Sequence, residues 1–318
     1  MSQAGVPLII AHRGASGYRP EHTIESYRLA IEQGAEVIEP DLVMTKDRIL
    51  VARHENEIGA TTDAAAKFPD RKRTKIIDAQ SMTGWFAEDF ILAELKQLRA
   101  RERLPFRSHR FDGRFEIPTF EEILVFVRRE ERRLGRRIGV YPETKHPSYH
   151  ESLGLPITDS LLSVLARHGY RDRSEPVFIQ SFESANLRAA RPKTKLRLVR
   201  LIEAAGPLIE PAGLREIAGF ADGIGPSKDL VQPIGPDGSL GRPTSLVADA
   251  HAAGLFVHVW TLRADPSFLP KGYAGDPAAE VRRMVELGVD GFFTDFPDLA
   301  RRVILPAQAA PGRRPGSE

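Results

Sequence analysis

The feature that most constrains this chain is an alternation. Eight short apolar runs, each ended by a polar or glycine-containing turn, are separated by stretches whose apolar residues recur at helical spacing. The runs are expected at Pro7–Ala11, Val37–Val43, Ile138–Tyr141, Val177–Ile179, Leu196–Val199, Gly223–Ile224, Leu255–Val259 and Asp290–Phe293. Several intervening helices carry start signals. Thr23 precedes an apolar face of Ile24, Tyr27, Ala30 and Ile31, Thr119 and Glu122 form a capping box, and Asp276 stands before Pro277. Helices are also expected over Ile157–His168, Ser184–Arg191, Thr244–Ala253 and Asp298–Ile304. Eight strands alternating with helices is the count for a closed parallel barrel, an α/β fold of the (β/α)8 or TIM type. Such barrels run to about 250 residues as one domain. The 318 residues therefore fit a single domain over 1–305 with one insertion. The insertion is placed at about 56–117, after the second strand and its hairpin arm Ile49–Ala52. There Thr61-Thr62-Asp63 and Thr83-Gly84-Trp85-Phe86 read as turns, and only Leu92–Leu98 reads as a short helix. The Pro/Gly/Ala-rich tail 306–318 reads as disordered.

Composition narrows the function. The net charge of +2 and the absence of a face dominated by one sign argue against a nucleic-acid partner. The arginine-rich runs at 71–73 and 128–137 read as solvated faces. With no cysteine, disulfides and thiolate metal sites are excluded. No apolar stretch reaches the roughly 18 residues that span a bilayer, so stable membrane insertion is not expected. No charged n-region with an apolar h-region precedes the first strand. As written the chain reads as cytoplasmic, and as periplasmic or secreted if its start is processed.

The polar residues that end the strands carry the chemistry. Leu8–Ala11 delivers His12, Arg13 and Gly14; the second strand delivers Glu39 and Asp41, which share a side by period-two spacing; its hairpin arm delivers His54. Two same-facing carboxylates suit a hard divalent cation, two histidines suit an acid and a base, and the arginine fork suits a phosphate. Glu143 at the end of strand three adds a third oxygen ligand, and Lys145 shares its side. Gln180 and Trp260, ending strands four and seven, can orient substrate and wall a pocket. Each has a plainer reading: His12 as a core histidine, Arg13 paired with Glu21, Glu39 and Asp41 on a wet edge strand, Trp260 as core. Barrels of this kind build active sites at the C-terminal ends of their strands, where these residues converge.

Taken together, His12-Arg13-Gly14, Pro20-Glu21-His22-Thr23, Glu39-x-Asp41, His54, Glu143-x-Lys145, Gln180-Ser181-Phe182, Trp260-Thr261 and Gly291-Phe292-Phe293-Thr294-Asp295 resemble the glycerophosphodiester phosphodiesterase family, in order and spacing from Leu8 to about Arg301. The Thr61-Thr62-Asp63, Thr83–Phe86 and Gly223–Lys228 stretches resemble its longer periplasmic bacterial branch. One position departs: the family's Pro-Glu-Asn-Thr has His22 in place of asparagine, which implies altered loop packing rather than lost activity. The resemblance implies a phospholipase C-like barrel that splits a glycerophosphodiester into glycerol 3-phosphate and an alcohol, within glycerophospholipid breakdown and glycerol metabolism. It implies Ca²⁺ or Mg²⁺ on Glu39, Asp41 and Glu143, phosphate on Arg13, and proton transfer by His12 and His54. A phospholipase D-like enzyme of the same superfamily, acting on lysophospholipids, and a phosphoester-binding barrel without turnover are the competing expectations.

Overall fold

The computed structural model describes residues 6–304; the tail expected to be disordered lies outside them. The chain opens with β1 (Leu8–His12) and α1 (Ile24–Glu32), the helix capped by Thr23, whose hydroxyl accepts from the Ser26 amide at 3.1 Å. The second barrel strand comes in two pieces, β2 (Val37–Glu39) and β3 (Asp41–Met44), split by Pro40, which has no N–H to give to a ladder. The arm β4 (Leu50–Ala52) folds back antiparallel, with Val51 opposite Val43. The insertion then supplies α2 (Ala64–Lys67), a hairpin of β5 (Arg73–Ile77) and β6 (Gln80–Gly84), and α3 (Leu92–Leu95). The barrel resumes with α4 (Phe120–Leu134), whose capping box is formed as expected. Next come β7 (Gly139–Val140), β8 (Glu143–Thr144), α5 (Pro147–Ser152) and α6 (Ile157–Arg167). Then follow β9 (Phe178–Ser181), α7 (Ser184–Ala190), β10 (Arg197–Ile202), α8 (Pro211–Ala218) and β11 (Gly223–Pro226). The chain closes with α9 (Lys228–Val231), α10 (Leu246–Ala252), β12 (Phe256–Leu262), α11 (Pro277–Glu286), β13 (Gly291–Thr294) and α12 (Pro297–Ile304).

The pairing closes a ring. Strand β1 lies between β13 and β2, all parallel; β2 pairs with β7 and β3 with β8; β8 pairs with β9, and the ladder runs on through β10, β11 and β12 to β13. Counting each broken strand once gives eight parallel strands with helices outside them, a (β/α)8 barrel. Period-two alternation sorts its residues. Ile9, Ala11 and Ile38 join the large core between sheet and helices, while Ile10, Val37, Tyr141, Phe178, Val199 and Phe293 plug the interior.

The insertion is more ordered than its sequence suggests. Ile58, Ala64, Ala87, Phe90, Leu95, Leu98 and Ile117 form a small core of their own, closed onto the barrel through Val43 and Val51. Thr83 and Gly84 belong to β6 rather than to a turn. The hairpin escapes detection because its turn residues, Asp78 and Ala79, take positive φ (48° and 63°) without the glycine that usually marks such a turn. Helices α5 and α8 are also unforeseen; both are short and begin at a proline.

Candidate active site

Continuing the same alternation upward lifts each strand from plug to rim. On β1 the inward series Leu8, Ile10 ends in His12; on β2 and β3 Val37 is followed by Glu39 and Asp41; Tyr141 leads to Glu143 and Lys145; Phe178 leads to Gln180; Phe256 and His258 lead to Trp260; Phe293 leads to Asp295. An inward plug that is apolar except for His258 thus supports one polar layer. His12, Arg13, Glu39, Asp41, His54, Glu143, Lys145, Gln180 and Trp260 all line one cleft at the C-terminal rim, joined by Phe182 and Arg263. The His-Arg-Gly turn has a backbone reason: Gly14 takes φ +93°, and a Cβ there would meet Ser26 Oγ at 2.4 Å.

Glu39, Asp41 and Glu143 are buried and each offers an oxygen within 4.8 Å of the other two. Their backbones meet at Pro40: Glu39 and Asp41 flank it, and its carbonyl accepts the Glu143 amide at 3.0 Å. Burial and the facing carboxylate of Asp41 raise the Glu39 carboxyl well above its usual range. Burial likewise raises Glu143, to about 8, although Lys145 opposes it. Burial also works against Asp41, but Lys145 and His22 prevail and hold it low. Asp41 Oδ1 and Gln180 Oε1 are buried without a hydrogen-bond partner; Glu143 Oε1 lies 2.9 Å from Lys145 Nζ, an ion pair without hydrogen-bond geometry. An all-oxygen set with orphaned, mutually repelling members fits a hard divalent cation. Other contacts orient the set. The Arg13 amide donates to Glu39 Oε2 (2.8 Å), Gln180 Nε2 to Glu39 Oε1 (3.0 Å), and His22 Nε2 lies 3.0 Å from Asp41 Oδ2. His22, at φ +56° and fully buried, also reaches the Tyr27 hydroxyl at 2.9 Å. The histidine at the position that departs from the asparagine pattern thus holds Asp41 and is itself held by Tyr27.

The histidines face the same cleft. His12 Nδ1 lies 2.6 Å from Asp295 Oδ1, so in the neutral ring Nδ1–H donates to the carboxylate and Nε2 is left with its lone pair. Burial, with Arg13 next to it, lowers His12 to about 4. His54 has Glu55 2.8 Å from its Nδ1 as an ion-pair contact and Lys145 Nζ 3.5 Å from its Nε2, and burial with Arg13 and Lys145 lowers it to about 3. Glu55 bonds onward to His146 (2.9 Å), and His146 to Asp78 at the tip of the hairpin (2.6 Å). Arg13, 5% exposed and at φ +61°, pairs with Glu21 (3.1 Å) and sits 3.4 Å from Asp41. Pairing with Glu21 and lining the cleft are thus not alternatives. The Trp260 indole N–H donates to the Gly225 carbonyl at 2.7 Å, and its ring packs edge-on to Phe182.

Sequence reasoning left Asp295 without a role, and left Glu55, Arg263 and Arg107 out of the site altogether. Asp295 could have been found by the alternation, two residues past Phe293. Arg107 leaves no such trace; it arrives from the irregular part of the insertion to bond Asp295 at 2.6 Å.

By fold the chain is a barrel of the kind found in solved phosphodiesterases. It superposes on an Oleispira antarctica phosphodiesterase, determined in complex with the product sn-glycerol-3-phosphate, with a TM-score of 0.68 at 22% identity, covering 95% of this chain and 98% of that one. A glycerophosphodiester phosphodiesterase from Agrobacterium tumefaciens gives 0.61 at 22% identity, covering 92% and 98%. In sequence, residues 12–299 match the model of the glycerophosphoryl diester phosphodiesterase family. A glycerophosphodiester phosphodiesterase of Arabidopsis thaliana is 36% identical over 92% of this chain and 85% of its own length, and one of Haemophilus influenzae 32% identical over 92% and 88%. The chain belongs to the glycerophosphoryl diester phosphodiesterase family.

Proposed function

We propose that the protein hydrolyses glycerophosphodiesters to sn-glycerol 3-phosphate and an alcohol, within glycerophospholipid degradation and glycerol metabolism. The observation that carries this reading is the meeting in one cleft of a three-carboxylate cradle, a buried arginine and two imidazoles, each with a carboxylate within 2.8 Å of its Nδ1. Glu39, Asp41 and Glu143 would hold Ca²⁺ or Mg²⁺, which supplies electrophilic stabilisation of charge on the phosphate oxygens. Arg13 binds the phosphate, its guanidinium fixed by Glu21, and Lys145 adds a second positive charge. Of the two histidines, one accepts at Nε2 the proton of the attacking oxygen, either water or the glycerol 2-hydroxyl; in the second case a cyclic phosphate forms first and a water then opens it to give glycerol 3-phosphate. The resulting imidazolium is stabilised by the carboxylate on its Nδ1. The other gives a proton to the departing alcohol. Its low affinity for that proton comes from burial and from the nearby cations, so an incoming phosphate anion, by offsetting those cations, favours the charged form. Trp260 and Phe182 wall the cleft on its apolar side, and Gln180 steadies Glu39.

Release of glycerol 3-phosphate from glycerophosphocholine is expected to stop with EDTA, to return with Ca²⁺ or Mg²⁺, and to fall by at least about 10³-fold in His12→Ala and His54→Ala. Turnover indifferent to both chelator and His12→Ala would reject the reading. The phospholipase D-like alternative is favoured by Phe106, which is 52% exposed and packs edge-on to Phe268. Product analysis on lysophosphatidylcholine separates the two readings.

A further inference from the structure

We infer that Arg107, delivered by the insertion, is a positioning residue for His12: it clamps both the carboxylate that orients the imidazole and the loop that follows it. The inference rests on the reading of His12 as a proton carrier.

The two oxygens of Asp295 are divided. Oδ1 takes His12 Nδ1 at 2.6 Å and Oδ2 takes Arg107 Nη2 at 2.6 Å. A carboxylate turns about its Cβ–Cγ bond with little resistance, so holding one oxygen decides where the other points. Arg107 is itself held. Its Nε and Nη2 fork onto Asp265 at 3.1 and 2.5 Å, and its Nη1 donates to the Ser16 carbonyl at 3.0 Å. Ser16 Oγ in turn donates to the His12 carbonyl at 2.8 Å. One guanidinium therefore ties together the loops after β1, β12 and β13, and reaches His12 by two routes. The side chains are 5% exposed for Arg107, 9% for Asp265 and 2% for Asp295, so these contacts are shielded from water. Arg263 Nε also meets Asp295 Oδ2, at 2.9 Å, but its side chain is 20% exposed. It can balance the charge if Arg107 is lost, yet no bond of Arg263 to Ser16 or Asp265 accompanies it.

A neighbouring insertion residue repeats the pattern more weakly. Arg103 Nε reaches Glu21 Oε2 at 3.0 Å, the carboxylate that pairs with Arg13. Arg107 is the more buried of the two and is the one to test.

The experiment measures kcat and KM for glycerophosphocholine at saturating cation, with bis(p-nitrophenyl)phosphate keeping slow variants measurable. Arg107→Ala is expected to lower kcat about 10- to 100-fold with KM changed less than about threefold, since the arginine orients a group and touches no substrate. Millimolar guanidinium is expected to restore part of the loss. In a His12→Ala background the same change is expected to cost less than about twofold, because the group it positions is gone. An equal fold-loss in both backgrounds, or an Arg107→Ala enzyme with kcat within about twofold of the parent while His12→Ala is inactive, overturns the inference and leaves the hydrolase reading standing. An active His12→Ala enzyme would overturn the proton-carrier reading of His12 on which the inference rests, and the hydrolase reading with it only if turnover also ignores EDTA. If Arg107→Ala does not fold, Arg107→Lys, which keeps the charge but not the fork, is read in its place, with the same outcomes.

Discussion

His258 lies two residues below Trp260 on the inner face of β12, 2% exposed, its ring 4.5 Å from that of Phe256 and its Nδ1 3.0 Å from the Tyr141 hydroxyl. Burial, with Arg197 nearby, lowers its pKa to about 3. A histidine neutral in the fold and titrating near 6.5 when unfolded adds its full stabilising effect above about pH 6.5. It loses that effect as the pH falls towards 3, because over this window the unfolded chain takes up a proton that the folded one does not. The loss approaches about 1.4 kcal/mol per pH unit for such a group. Urea unfolding at pH 7, 5 and 4 is therefore expected to show a shallower decline for His258→Gln than for the parent, even if the variant starts lower; parallel curves would mean that His258 is charged in the fold. The sequence hides this histidine. Its place in the plug follows from the alternation, but nothing around it in the chain marks it as uncharged.

At the scale of elements, strands, inward faces and caps are local properties, so the barrel was readable from apolar runs and turn residues. The residues ending each strand are part of the same signal, and all nine site residues singled out by it reach one cleft. Contacts such as Arg107 to Asp295, 188 positions apart, depend on how the insertion docks, and no local pattern records that. The hairpin of β5 and β6 is an intermediate case. Its turn demands left-handed backbone at Asp78 and Ala79, a conformation that costs an exposed alanine more than it would glycine. Ala79→Gly is expected to stabilise the hairpin by about 0.5–1 kcal/mol, read as slower amide exchange at Lys75 and Met82, a hydrogen-bonded pair of the ladder. Unchanged or faster exchange would show that the turn is not held in that conformation in solution. Through Asp78, His146 and Glu55 the same turn is linked to His54, so its geometry bears on the site.

Over the whole molecule, the acidic cradle opposes the fold that carries it. Three carboxylates are buried together, and two of them, Glu39 and Glu143, have their acidity weakened by the burial and by the nearby Asp41. Glu143→Gln is expected to raise the melting temperature of the metal-free protein by a few degrees, and to abolish most of the further rise that millimolar Ca²⁺ or Mg²⁺ gives the parent. A parent whose melting point ignores both cations would remove the cradle's supposed guest. Eight strands, one inserted lobe and a plugged interior thus converge on a small oxygen-lined recess, and the recess is built around one imino acid. Pro40 separates two of the acidic side chains and receives the amide of the third. A five-membered ring that cannot swing about its N–Cα bond gives the recess stiff jaws. A backbone this stiff is expected to narrow the range of cation radii the recess accepts, with the side chains left to make the final fit.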